Sequence, residues 1–112
     1  MNVRGLGGLA KQKSLCHLIS SLSPDVVLFQ ETMTSSYLAL FAFSKLCPGW
    51  EFCALNSIGI SGGILSGWNP KILKCKAYQT AAGILLNAKI RGSLLELSIL
   101  NCYGPYNNRD IF

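Results

Sequence analysis

Residues 26–31, VVLFQE, form a continuous apolar run that ends in an acid. An apolar run of this length without polar alternation is typical of a strand that is buried on both of its faces. A strand of this kind belongs in the interior of a layered domain. The stretch therefore predicts a layered fold and places Glu31 at the end of a buried strand.

Helical patterns lie on both sides of this strand. From residue 9 to residue 22 the apolar side chains recur at the spacing of one helix face, and the SPD segment at 23–25 ends that helix. After the strand, Ser35 or Ser36 can cap a second helix, which the Pro-Gly pair at 48–49 terminates. With the first few residues counted as the end of a strand, the first half is predicted to run β-α-β-α.

The second half changes to strand patterns that are separated by short turns rich in small residues. Short turns force neighbouring strands to be antiparallel, so this half is predicted to form a meander. The fold class is therefore α/β, with a mixed sheet and an antiparallel meander in the C-terminal half. Five segments carry the strand pattern: 50–57, 64–69, 72–80, 83–90 and 94–103.

Composition sets the broad class of the protein. The 112 residues correspond to one small domain or part of a larger one, and the apolar half of the chain argues against disorder. A net charge of +5 favours polyanionic partners such as nucleic acid. The lysines are spread along the chain without a polybasic run, so the charge permits such a partner without identifying one.

The cysteines bear on the compartment. There are five, with no CxxC pair, and all lie within apolar patterns, which favours core packing over metal or disulfide use. Free cysteines indicate a reducing compartment. The N-terminus has no apolar segment of signal-peptide length, and the longest apolar run, 37–43, is too short for a membrane span. We therefore expect a nuclear or cytoplasmic protein that is not secreted and has no membrane partner.

A glycine-rich turn is the first candidate site. GLGGLA at 5–10 matches G-x-G-x-x-A, and Glu31 stands where a dinucleotide-binding fingerprint places its acid. That fingerprint needs a hydrophobic strand before the first glycine, and only MNVR precedes it. A glycine-softened turn between strand and helix is the favoured interpretation, and a dinucleotide-binding protein is kept as an alternative.

Three strand ends form the second candidate site. Asn2, Glu31 and Tyr103 each stand where a predicted strand ends, and strand ends at one rim of a layered α/β fold are where ligand groups collect. One carboxylate beside an amide and a phenol suits a hard cation such as Mg²⁺. Taken singly, each of the three residues has an ordinary structural explanation.

Four segments together resemble a known family. NVRGLGG, SPDVVLFQET, GISGGILSGWNP and NCYGPYNNR are similar, in order and spacing, to motifs of the endonuclease/exonuclease/phosphatase (DNase I-like) superfamily. More narrowly, they resemble the apurinic-type endonuclease domain of plant LINE-type (non-LTR) retrotransposons. The resemblance implies a four-layer α/β sandwich, of which residues 1–112 would be the N-terminal half, truncated at both ends.

The resemblance also implies roles for particular residues. Glu31 would be the acidic ligand of a catalytic Mg²⁺ or Mn²⁺, Asn2 would orient the metal site, and Tyr103 would lie against the scissile phosphate of DNA. Arg4 and Asn107 would bind the substrate. The family's later Asp/Asn and His segments have no counterpart here, so the chain alone is expected to be inactive.

One further expectation concerns partners of the chain, and an alternative function remains open. The half-domain would supply mainly one of the two sheets, leaving an inner face uncovered and available for self-association. The alternative to a truncated endonuclease is a fragment that binds nucleic acid or another partner without catalysis.

Overall fold

The computed structural model describes residues 1–6, 8–56 and 62–103. These residues form two helices and six strands in an α/β arrangement. The elements are α1 (Leu9–Leu22), β1 (Val26–Gln30), α2 (Ser36–Leu46), β2 (Glu51–Leu55), β3 (Ile64–Trp68), β4 (Leu73–Gln79), β5 (Gly83–Ile90) and β6 (Glu96–Cys102).

The strands divide into two antiparallel sheets of three strands each. The first sheet has the order β1-β3-β2, and the second has the order β4-β5-β6. Residues 1–6 run parallel to β1: Asn2 bridges Gln30, and the Val3 N–H donates to the Gln30 carbonyl at 2.9 Å. The helices pack on the outer face of the first sheet, so the described residues form three layers: helices, first sheet, second sheet.

The core between the helices and the first sheet is aromatic. Phe43 of α2 is fully buried, with its ring centroid 5.8 Å from that of Phe29 on β1 and 5.5 Å from that of Phe52 on β2. The Ser35 side chain accepts a hydrogen bond from the Leu38 N–H at 3.2 Å, which caps α2 as the sequence indicates. This cap fixes where the helix begins above the sheet.

A second core lies between the two sheets. Ile64 of β3 and the alternate β5 residues Ile84, Leu86 and Ala88 are each at most 1% exposed. Alternation along β5 sends these side chains inward. The inner faces of the two sheets therefore cover each other along β5. On the neighbouring strand β6, Leu97 stands opposite Ala88 on the same inner face and is 48% exposed, so the expected uncovered inner face is present only at this edge.

The predicted antiparallel pairing is confirmed for β2 with β3 and for the meander β4–β6. The predicted continuation from 64–69 into 72–80 is wrong, since β3 pairs with β1 and β2 and lies between them. The chain crosses to the second sheet at Asn69 and Pro70, where the Asn69 side chain accepts from the Lys71 N–H at 3.0 Å. A turn at this point separates the two sheets instead of joining neighbouring strands of one.

Apolar side chains remain exposed on β6 and in the residues just before it, so self-association through an uncovered sheet face stays a prediction. The exposed residues there are Leu94, Leu95, Leu97 and Leu100.

Core packing is confirmed for Cys16 and Cys47, which are buried in the helix-layer core, but the expectation that the cysteines form no disulfide is wrong. Cys16 of α1 and Cys47 at the end of α2 form a disulfide across the helix layer, with their Cα atoms 6.1 Å apart. Cys53, Cys75 and Cys102 are free. Within the described ranges, neither helix has the length and apolar character needed to cross a bilayer.

Candidate functional site

The strand ends that carry Asn2, Glu31 and Tyr103 meet at one rim of the two-sheet sandwich. Asn2 bridges Gln30, the residue before Glu31. The Gln30 side-chain amide in turn donates to the carbonyl of Cys102, the residue before Tyr103, at 3.2 Å. The structure therefore brings the three predicted strand ends to one place, which we call the strand-end rim.

Glu31 is exposed at this rim on an unusual backbone. Its φ is +54°, and Arg4 and Met33 nearby have φ of +49° and +55°. An L-residue other than glycine pays about 1–2 kcal/mol for this left-handed conformation. Hydrogen bonds hold it in place, since the Gly5 N–H donates to the Glu31 carbonyl at 2.7 Å. Backbone strain of this kind persists where surrounding structure imposes it, often at functional sites.

Asn2 and Glu31 supply the oxygen atoms of the rim. The Asn2 Oδ1 accepts from the Arg4 N–H at 3.0 Å, and its second lone pair is left for another partner. One carboxylate with one amide oxygen is a donor set that suits Mg²⁺, which keeps several of its waters. The described residues contain no cluster of three His, Cys, Asp or Glu side chains, so a cation here would depend on Glu31.

Tyr103 is fixed by a partner that the sequence did not indicate. Its hydroxyl donates to the Asn56 carbonyl at 2.6 Å, and its N–H donates to the Ala82 carbonyl at 3.0 Å. Burial raises the pKa of the Tyr103 phenol above its ordinary value. The phenol is therefore neutral and oriented, and its oxygen still has lone pairs that can accept a hydrogen bond.

Asn56 also connects the rim to the helix layer. Its Oδ1 accepts from the Ser36 N–H at 2.6 Å, at the beginning of α2. The only sequence signal for this role is that Asn56 lies near the end of the strand pattern at 50–57, as Asn2 lies near the end of another. Nothing in the sequence links it to Tyr103, which is 47 residues away.

The remaining site predictions have mixed outcomes. Arg4 lies exposed at the strand-end rim. Asn107 lies outside the described residues. For the dinucleotide alternative, the named strands of the described chain pair only in the antiparallel sense, whereas the fingerprint accompanies a doubly wound parallel sheet.

The comparisons with known proteins do not add to this picture. A scan against models of protein families found no family that matches the chain, and a search of curated proteins found no significant match. The resemblance therefore rests on its four sequence motifs.

Proposed function

We propose that residues 1–112 are the N-terminal half of a metal-dependent phosphodiesterase domain with a DNase I-like, four-layer α/β sandwich, derived from a retrotransposon DNA endonuclease. The observation that carries the proposal is the convergence of Asn2, Glu31 and Tyr103 at the strand-end rim. The helix, sheet and sheet layers of the described residues are compatible with that sandwich.

In this proposal Glu31 and Asn2 hold Mg²⁺ or Mn²⁺. A divalent ion in that position supplies Lewis-acid polarisation of a phosphoryl oxygen. Arg4 and Asn107 contact the phosphate backbone of DNA. Tyr103 packs against the phosphate in the orientation that its hydrogen bond to Asn56 fixes.

The chain alone is proposed to bind the ion without turnover. General acid–base groups contribute about 10²–10⁴-fold to such reactions, and the family supplies them from segments after Tyr103 that have no counterpart here. The expected activity of the chain alone is therefore metal binding. Another segment or chain would have to supply the remaining catalytic groups, so we call this site the metal half-site.

Metal-linked stability tests the half-site. Urea unfolding is measured with and without millimolar Mg²⁺ or Mn²⁺ in the wild type, in Glu31→Gln and in the control Glu51→Gln, which removes an exposed carboxylate on β2. An ion at 100 times its Kd stabilises the folded state by about 2.7 kcal/mol. We expect this gain in the wild type and the control and its loss in Glu31→Gln. An equal gain in all three proteins would remove Glu31 from the site.

A nicking assay on supercoiled plasmid tests the missing turnover. We expect no Mg²⁺-dependent nicked product from the purified chain. Product that disappears in Glu31→Gln would support the site and contradict the inactivity. Product that survives Glu31→Gln would come from a contaminating nuclease.

A further inference from the structure

The outer face of the second sheet, which points away from the first sheet, is a separate polar surface. Along β4 the alternate residues Lys74, Lys76 and Tyr78 are exposed there, and Asn87 and Lys89 are exposed beside them on β5. We call this surface the lysine face. A cavity of about 280 Å³ on it is lined by Lys74, Lys76, Tyr78, Asn87, Lys89 and Glu96.

The lysine face does not have the apolar composition of a sheet face that a helix layer covers, so the fourth layer of the proposed sandwich would have to leave this face open. A sheet face that packs against helices is apolar. On β4 the alternation sends Leu73 and Cys75 toward the first sheet and Lys74 and Lys76 outward. The outward side chains are suited to water or to a charged ligand.

The excess of positive charge on the lysine face favours an anionic ligand. Lys74 stands directly opposite Lys89 in the register of β4 and β5, and like charges in that position repel each other. Lys76 extends the positive row by two residues, about 7 Å along β4. Glu96 relieves only Lys89, at 3.2 Å, and that pair is exposed and therefore weak. Three positive charges thus face one negative charge.

Tyr78 distinguishes among the possible anions. It continues the line of Lys74 and Lys76 on the same strand, is 48% exposed, and has Leu85 directly opposite on β5. An exposed aromatic ring beside a row of cations is the arrangement that binds single-stranded nucleic acid, in which cations contact phosphates and rings stack on unpaired bases. Duplex DNA offers no free base face for Tyr78.

We propose that the lysine face binds single-stranded nucleic acid without sequence preference, with phosphates on Lys74, Lys76 and Lys89 and a base stacked on Tyr78. Glu96 opposes this binding by competing for Lys89. The surface uses neither Glu31 nor a metal ion, so it stands apart from the proposed metal half-site.

The contacts between the lysines and the phosphates are tested by fluorescence anisotropy with fluorescein-labelled oligo(dT) of about 15 nucleotides in EDTA. Each phosphate contact with a single strand contributes about −0.7 to the slope of log K against log salt. Three contacts predict a slope near −2, or about a 20-fold loss of affinity for a fourfold rise in salt.

Two double variants distinguish binding at the lysine face from non-specific attraction by the net positive charge of the protein. The double variant Lys74→Gln/Lys76→Gln should reduce the slope to about −0.7. The control Lys13→Gln/Lys45→Gln removes the same charge from the helix layer and should leave the slope near −2. Equal losses in the two double variants would overturn the proposal, as would a wild type without salt-dependent binding.

Substitutions of Tyr78 and Glu96 test the remaining contacts. Tyr78→Phe keeps the ring and should bind like the wild type, whereas Tyr78→Leu should bind about 5- to 150-fold more weakly. Glu96→Gln should bind more tightly, a gain that misfolding would not produce. Loss of binding in Glu96→Gln, or equal binding by Tyr78→Leu and Tyr78→Phe, would contradict the assigned roles.

Competitors test the chemical class of the ligand. Unlabelled oligo(dT) should displace the probe at lower concentration than a duplex of the same length or vesicles of phosphatidylcholine and phosphatidylserine. Displacement by the duplex or the vesicles at equal or lower concentration would overturn the assignment to single strands.

Discussion

Replacing Asn101 with aspartate should remove a large part of the free energy of unfolding at neutral pH. Asn101 lies on the inner face of β6 and is 1% exposed. Its Nδ2 donates to the carbonyls of Phe29 and Leu65 at 3.3 and 3.2 Å and to the Ser66 hydroxyl at 3.1 Å. One amide of the second sheet thus contacts β1 and β3 of the first. Asn101→Asp keeps the shape and puts an acceptor where the donor was.

The magnitude follows from the groups left unpaired. The amide has two N–H protons, and each buried acceptor left without a donor costs about 1–3 kcal/mol. A new buried carboxylate facing carbonyl oxygens adds a desolvation cost. We expect a total loss of about 3–5 kcal/mol, against a typical stability of about 5–15 kcal/mol for a domain. With a urea m-value near 2 kcal/mol/M the unfolding midpoint falls by about 2 M.

The loss should depend on pH. Burial among acceptors raises the pKa of the new carboxyl group in the folded state above its unfolded value of about 3.9. Below that value both states are protonated, and the penalty is smallest because the carboxyl O–H can donate one hydrogen bond. As the pH rises above it, the unfolded state ionises first, so the variant loses stability relative to the wild type.

Asn87→Asp is the matched control. Asn87 lies on the exposed face of β5, directly opposite Lys76, where a carboxylate is solvated and has a favourable neighbour. We expect a change within about 0.5 kcal/mol. Urea unfolding followed by far-ultraviolet circular dichroism at pH 4 and pH 7 gives both comparisons. Equal effects of the two substitutions at pH 7, or a penalty at Asn101 that does not grow with pH, would refute the bridging role.

Three further changes test local features of the structure. Ser23 ends α1 with φ +47° and ψ +49°, so Ser23→Gly should stabilise the protein by about 1 kcal/mol in urea unfolding, and a loss would contradict the left-handed cap. Tyr103→Phe should lower stability by about 1 kcal/mol through the lost bond to Asn56. Because the pKa of Tyr103 is raised in the folded state, the free energy of unfolding of the wild-type protein should fall as the pH rises above about 10. Tyr103→Phe should lack this part of the decline. Alkylation of the unfolded, unreduced chain followed by mass spectrometry should modify three thiols, and five would refute the Cys16–Cys47 pair.

The sequence predicted the helices and strands better than it predicted which strands pair with each other. VVLFQE at 26–31 indicated a buried strand, and β1 has a layer on each side, with Phe29 facing the helices and Val26 packing toward the second sheet. The position of β3 between β1 and β2 could not be predicted, because pairing depends on contacts between segments far apart in the chain. Asn69 and Pro70 indicate a turn, but a turn can join neighbouring strands or separate two sheets.

The same limit explains what was missed at the surfaces. The rule that ligand groups collect at strand ends was enough to predict that Asn2, Glu31 and Tyr103 lie at one rim. Lys74 and Lys89 are 15 positions apart and looked scattered in the sequence. Their common face follows from the register of β4 and β5, which the K-x-K pattern and the short turn between the strands could have suggested.

The strand β6 joins the fold and the candidate site. Asn101 binds the backbone of β1 and β3, the next carbonyl accepts from the Gln30 side chain, and the following residue, Tyr103, binds the Asn56 carbonyl. Three consecutive residues therefore connect the second sheet to the first, beginning in the interior and ending at the strand-end rim. Because the same contacts hold the sheets together and bring Tyr103 to the strand-end rim, the rim can form only when the two sheets are packed. The packed interior between the two sheets is thus the condition for any chemistry at the strand-end rim.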